Sequence, residues 1–197
     1  IRRQLEERHL FQTAGDVETV LHLYEDFGLS LVDQLRGMFA FALWDRNADV
    51  MTLAVDRFGK KPLYYLLDAE KLIFASELKA IMRYPHGDLQ LDYEALDEYL
   101  SSGYITAPRT IYQAIRKVSP GQIVQVKRSG VMYPQTYWEP TFAGGNSYDN
   151  RSFADLAEEL RFLLVEAVKF RLQSSVQVGA FLSGGVDSTA VVGLMTS

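Results

Sequence analysis

The run Ser183-Gly184-Gly185-Val186-Asp187-Ser188 sets two adjacent glycines between hydroxyls and one carboxylate. Residues of these types, so spaced, suit a phosphate or pyrophosphate ligand. Adjacent glycines let the backbone turn tightly and approach a ligand closely. Successive N–H groups in such a turn can form an anion-binding concavity. A helix starting behind the loop adds unpaired N–H groups and the positive end of its dipole. Ser183 and Ser188 offer hydroxyl donors. No lysine stands in the loop, so the Gly-x-x-x-x-Gly-Lys-Ser/Thr pattern of a Walker A loop is absent. Charge on the phosphates would then be met by Mg²⁺ or by residues elsewhere, with Asp187 as the candidate ligand for the ion. The competing reading of the same stretch is an ordinary strand-to-helix turn with Ser or Asp as helix cap.

Specific elements must hold such a loop in place. Val176, Val178, Ala180, Phe181 and Leu182 form an apolar run of strand length before it, expected to be a buried strand. Residues 189–195 after it are apolar enough for a buried helix. With no further strands to cover it, that helix would expose apolar side chains. Upstream, Ser152-Phe153-Ala154-Asp155 has the form of a capping box. Phe153, Leu156, Leu160, Leu163, Leu164, Ala167, Val168 and Arg171 continue from it at helical spacing. Residues 144–150 (Gly-Gly-Asn-Ser-Tyr-Asp-Asn) read as a domain linker.

The first 140 residues have a different texture. Residues 1–9 are polar and helix-prone, with Ile1, Leu5 and His9 on one face. Asp16 precedes a helical segment whose stripe is Val17, Val20, Leu21 and Tyr24, and Gly28 is placed to end it. A short helix with Leu31, Val32 and Leu35 follows. A β meander comes next: 38–44 is continuously apolar, so both faces are expected to be buried, and 50–56 is the return strand. Segments 63–67 and 72–75 make a second hairpin, followed by a short helix over 77–83. Asp92 caps a helix carrying Leu96, Tyr99 and Leu100. Residues 122–126 alternate as a half-buried strand and pair with 131–133.

Composition sets outer limits. The chain has 197 residues, 48% hydrophobic and 23% charged, as a globular chain of one large or two small domains should. A net charge of −5 without a basic run argues against a nucleic-acid surface, and no segment is apolar enough to span a membrane. The absence of cysteine rules out disulfides, thiolate metal sites and a thiol nucleophile within these residues. It fits a reducing compartment, with a cytoplasmic location expected. His9, His22 and His86 are scattered without metal-ligand spacing, so each reads as a surface or half-buried histidine. Both ends look cut: the chain starts on a helical pattern and stops within the helix after the loop.

The loop resembles the PP-loop of the N-type ATP pyrophosphatases. The order of further blocks resembles glutamine-dependent asparagine synthetase of the bacterial type. These blocks are Thr13-Ala14-Gly15-Asp16-Val17-Glu18, Gly37-Met38-Phe39-Ala40-Phe41-Ala42-Leu43-Trp44-Asp45, Asp56-Arg57-Phe58-Gly59-Lys60-Lys61-Pro62-Leu63-Tyr64-Tyr65 and Phe74-Ala75-Ser76-Glu77-Leu78-Lys79-Ala80. The resemblance spans essentially the whole chain. It implies an α+β glutaminase of the N-terminal-nucleophile hydrolase type, with antiparallel sheets and helices, over 1–140. A linker over 141–151 and the start of an α/β PP-loop ATP pyrophosphatase domain over 152–197 follow. It further implies ammonia released from glutamine, and an aspartate carboxylate activated by Mg²⁺-ATP as an adenylate. Pyrophosphate and AMP leave and asparagine forms. Glutamine, aspartate and ATP are the implied substrates, and a homodimer is expected of the full-length protein.

Carried over residue by residue, Leu182, Ser183, Gly184, Gly185, Val186, Asp187 and Ser188 match the ATP-binding loop, with Asp187 as the Mg²⁺ ligand. Asp16 matches the aspartate that holds the α-amino group of glutamine, and on local pattern it also reads as a helix N-cap. Arg57, Lys60 and Lys61 lie in a shared block near the expected domain interface, or form a solvated basic loop. Departures are present. The family's N-terminal cysteine nucleophile is absent, so no catalytic residue is assigned in this chain. Gly15 stands where serine is common, and Ser175 and Gln177 where the family often has Asp and Pro. Two other readings remain open. One is a paralogue amidating another carboxylate. The other is a glutaminase-like binding module without chemistry.

Overall fold

A computed structural model describes every residue except 69, 70, 86, 143–149, 175 and 197. The chain divides into two compact units, Ile1–Pro140 and Thr141–Ser197. The expected linker over 144–150 lies, but for Asn150, outside the described residues.

The strands of the first unit are β1 (Ala40–Asp45), β2 (Val50–Val55), β3 (Tyr64–Leu67), β4 (Leu72–Ala75), β5 (Ile115–Lys117), β6 (Gln122–Lys127) and β7 (Met132–Thr136). They form two antiparallel sheets, ordered β1-β2-β6-β7 and β4-β3-β5. The helices are α1 (Arg2–Leu5), α2 (Asp16–Phe27), α3 (Leu31–Gln34), α4 (Leu78–Arg83) and α5 (Tyr93–Ser102).

Strand alternation decides the layering, because successive side chains point to opposite faces. Leu53 and Val55 of β2 and Val124 and Val126 of β6 cluster with Leu63, Tyr65 and Val118, so the two sheets pack face to face. The intervening Ala54 and Ile123 point the other way, onto Leu5, Leu23, Leu31 and Val32 of α1–α3. In the second sheet, Tyr65 faces the first sheet while Leu66 and Ile115 turn to Ile81 of α4. The unit is therefore helices, sheet, sheet, helix. Each fully buried Leu, Ile or Val contributes about 1.5–3 kcal/mol to holding these layers together.

Several expectations need correction. The run 38–44 is not buried on both faces: among the described residues β1 is an edge strand paired only with β2, Leu43 alone is buried in it, and Met38 and Trp44 are exposed. The inward stripe of α2 is Val20, Leu23 and Tyr24, while Val17 and Leu21 are exposed. An i, i+3, i+4 set rotated by a few residues meets α1 and α3. The predicted helix over 1–9 is helical only over Arg2–Leu5. Asp92 does cap α5, accepting from the Ala95 N–H at 3.1 Å, but Ala95 is the buried residue and Tyr99 and Leu100 are exposed. Gly28 ends α2 as read: it takes φ +56° and donates to Tyr24 O.

The second unit contains α6 (Phe153–Arg171) and α7 (Val186–Met195). The capping box forms: Ser152 Oγ accepts from the Asp155 N–H at 3.2 Å, and the Asp155 carboxylate accepts from the Ser152 N–H at 3.3 Å. The apolar run before the loop is not a buried strand. Residues 177–183 take no regular structure, and Phe181 is fully exposed at 100%. A strand requires a partner ladder, and among the described residues this unit has no other strand. For the same reason α7 is not a buried helix; none of its residues is buried.

Candidate functional site

The loop over 183–188 is fixed by its own short contacts. Gly184 takes φ +82°, a left-handed conformation that favours glycine. The Ser183 and Ser188 hydroxyls meet at 2.9 Å, and Gly185 N–H donates to Ser183 Oγ at 3.4 Å. Ser188 Oγ and Thr189 Oγ1 both donate to Gly185 O, at 3.1 and 2.8 Å. Gly185 is the N-cap residue of α7, and no side chain caps the helix. The first-turn amides of α7 thus lack the side-chain acceptor that commonly satisfies them. The cap reading, with Ser or Asp as the capping residue, is overturned, since a glycine holds that position. A Cβ built on Gly184 would meet nothing within 4 Å. Open space above a glycine turn, uncapped amides and two converging hydroxyls together suit a phosphate group. Asp187, in the first turn of α7, carries the single carboxylate of the loop. Leu182 precedes the loop and is exposed.

Asp16 sits elsewhere, at the first helical position of α2. It is not the N-cap. Gly15 is, with extended φ −74° and ψ 156° and no side-chain cap bond. Because its backbone is already helical, the Asp16 carboxylate adds charge at the positive end of the helix instead of capping it. It lines a cleft of about 800 Å³ with Arg36, Gly37, Lys61, Ser76 and Glu77. Blocks separated in sequence, 13–18, 37–45, 56–65 and 74–80, therefore converge on one concavity that Asp16 faces.

Two positioning residues escaped the sequence reading. Asp56 is 1% exposed, and its carboxylate accepts from four backbone amides: Phe39 (3.2 Å), Phe58 (3.1 Å), Lys60 (3.1 Å) and Lys61 (3.0 Å). It pins loop 57–62 to the entry of β1, and so shapes the cleft wall at Lys61. The signal was an acidic residue opening a Gly- and Pro-containing loop. Arg57 is not part of a merely solvated basic loop: its guanidinium donates to Leu35 O at 2.8 Å. Glu18 accepts from the Thr13 hydroxyl at 2.6 Å and from the Gln12 and Thr13 amides at 2.7 Å. The Thr13 hydroxyl, then these amides, hold its carboxyl down at about 2. That fixes the segment leading into Asp16. The histidines are not all scattered: the His9 and His22 rings stack at 4.4 Å.

With this geometry in place, comparison with known proteins decides the family. Residues 1–138 match the family model of the glutamine amidotransferase domain. The chain belongs to that family. In this glutamine amidotransferase domain the antiparallel sheets and flanking helices are of the α+β class expected. Residues 159–197 match the asparagine synthase family model. The chain is 35% identical over 193 residues to glutamine-hydrolysing asparagine synthetase 1 of Bacillus subtilis strain 168, covering 98% of this chain and 30% of that protein. It is 37% identical to asparagine synthetase 2 of the same organism, over 93% of this chain and 26% of that protein. It is 34% identical to the amidase chyE of Penicillium rubens, over 98% of this chain and 28% of that protein. The chain thus spans less than a third of the length of these relatives. Among the described residues, no helix is long and apolar enough to cross a membrane.

Proposed function

We propose that this chain is the junction of a glutamine-dependent amide-forming ligase, joining a glutaminase cleft to the start of an ATP site. The reaction is amidation of aspartate to asparagine. An aspartate carboxylate oxygen attacks the α-phosphorus of ATP, and pyrophosphate leaves. Ammonia from glutamine then attacks the acyl carbon of the aspartyl-adenylate, and AMP leaves. A free carboxylate is a poor acyl donor, and adenylation gives it a stabilised leaving group. Asp16 holds the α-amino group of glutamine in the cleft. The loop 182–188 holds the phosphates, with Asp187 toward Mg²⁺, whose charge offsets that of the phosphates when bound.

The observation that carries this reading is the uncapped N-terminus of α7 behind the Ser183–Ser188 hydroxyl pair, in a chain whose other unit is a glutamine amidotransferase domain. A second reading has its own support. A relative named an amidase aligns over the same 98% of the chain as the asparagine synthetase 1 match, so the match does not single out aspartate, and a paralogue that amidates another carboxylate is the second reading. Pyrophosphate exchange into ATP by the full-length protein, with aspartate and a panel of other carboxylates, tests both. Exchange that depends on aspartate supports the first reading, exchange with another acid alone supports the second, and exchange with none refutes both.

A further inference from the structure

His9 follows α1 and His22 lies on α2, too far apart in sequence to form a ligand motif. The fold brings their rings together at 4.4 Å with an interplanar angle of 26°. Both Nδ1 atoms face a single oxygen, Glu25 Oε2, at 3.3 Å from His9 and 2.7 Å from His22. The opposite nitrogens face two further carboxylates. His9 Nε2 lies 2.9 Å from Asp26 Oδ1, and His22 Nε2 lies 3.8 Å from Glu18 Oε1.

A neutral imidazole carries one N–H. When a neutral His9 donates from Nε2 to Asp26, its Nδ1 lone pair is aimed at the Glu25 oxygen. If His22 donates to Glu25, its Nε2 lone pair is left buried; this atom has no hydrogen-bond partner among the described residues. Placing the His22 proton on Nε2, toward Glu18, aims a second lone pair at Glu25. Lone pairs and a carboxylate oxygen then converge with nothing positive between them. A cation at that point removes the conflict at all three atoms.

We propose that His9 Nδ1, His22 Nδ1 and Glu25 Oε2 form a binding site for a divalent cation of the zinc class, with Asp26 and Glu18 orienting the two imidazoles. Two imidazoles and a carboxylate are a zinc ligand set that leaves one position for water. One ligating atom from each residue lies within 4.8 Å of the others. Tetrahedral zinc with bonds of 2.0–2.2 Å sets its ligand atoms about 3.4 Å apart. The His9–Glu25 separation of 3.3 Å already fits. The His22–Glu25 separation must open from 2.7 Å, which the long, exposed Glu25 side chain permits. A carboxylate on the far nitrogen of a ligating histidine fixes the ring and raises its basicity. Asp26 is itself held by Arg8 at 3.0 Å, and the Phe11 ring packs edge-on to His22 at 4.6 Å. The ion would stitch the segment after α1 onto α2, the helix whose first turn carries Asp16.

The test is calorimetric titration of the 197-residue chain, stripped with EDTA, with zinc chloride alone, together with the visible spectrum of the cobalt(II) form. One saturable site with a four-coordinate cobalt spectrum is expected. His9→Asn with His22→Asn should abolish it. Glu25→Gln, at an exposed position that leaves the fold intact, should weaken binding at least tenfold. Asp26→Asn should weaken it about 10–100-fold. Absence of a saturable site, or affinity unchanged in Glu25→Gln, overturns the proposal and leaves a pair bridged by shared protons.

Discussion

Replacing Asp56 with Asn tests the architecture of the cleft wall most sharply. The buried carboxylate accepts from the amides of Phe39 and Lys61 on one oxygen and of Phe58 and Lys60 on the other. Asparagine keeps the shape but presents one oxygen and one NH₂ group. Whichever way it sits, two N–H donors then face a donor. Hydrogen bonds to a charged group contribute about 1.5–3 kcal/mol each, so two lost bonds cost about 3–6 kcal/mol. Relief from burying a charge offsets part of this, leaving a net loss of about 3 kcal/mol. For a unit of this size that corresponds to roughly 10 °C in melting temperature. Urea unfolding followed by tryptophan fluorescence is the assay, because both tryptophans, Trp44 and Trp138, lie in the first unit. Asp49→Asn is the control, since the half-buried Asp49 makes a surface ion pair with Arg128 at 3.2 Å that contributes little, and its φ of 55° is a conformation asparagine adopts readily. A loss below about 0.5 kcal/mol in Asp56→Asn, the scale of an ordinary surface change, would refute the reasoning.

Other predictions follow from single contacts. Gly121→Ala should cost about 3 kcal/mol in urea unfolding, because a Cβ there would lie 2.2 Å from Trp138 O at φ +66°; near-wild-type stability would show that the turn relaxes freely. Glu18 has its folded pKa lowered from 4.5 to about 2, so its contribution is present above the unfolded value and is lost as pH falls through the folded one. Glu18→Gln should flatten the acid-side stability profile between about pH 5 and pH 2, and an unchanged profile would contradict the assignment. Ser152→Ala removes half of the capping box and should weaken the start of α6 by about 1 kcal/mol, read as roughly fivefold faster exchange of the Asp155 and Leu156 amides; Ser152→Gly should lose only a few tenths.

Legibility from sequence followed the range of the interactions. Features set within a few residues were readable: the capping box at Ser152 and Asp155, the Asp92 cap, Gly28 ending α2, and the three hairpins β1–β2, β3–β4 and β6–β7. Features set by partners were not. Nothing local distinguishes an edge strand such as β1 from a central one, since pairing with β2 on one side alone leaves Met38 and Trp44 open. The run 176–182 has the composition of a strand, but among the described residues of its unit there is no second strand to pair with it. Which residues of α2 and α5 turn inward depends on what packs against them, and small Ala95 was passed over for large Leu100. At the sites, the residue types in 183–188 carry the proposal of a phosphate loop by themselves, because glycines and hydroxyls act locally. Asp16 was marked by resemblance, although its place at the first helical position is visible only in three dimensions. Asp56 and the His9–His22 pair depend on contacts across the fold, which spacing does not encode.

The central claim, that the loop before α7 serves adenylation of aspartate, is tested most directly by exchange of labelled pyrophosphate into ATP by the full-length protein. The account predicts exchange that requires aspartate and Mg²⁺ and falls about 100-fold in Asp187→Ala. Cleavage of ATP to ADP and phosphate, or exchange indifferent to Asp187, would contradict it.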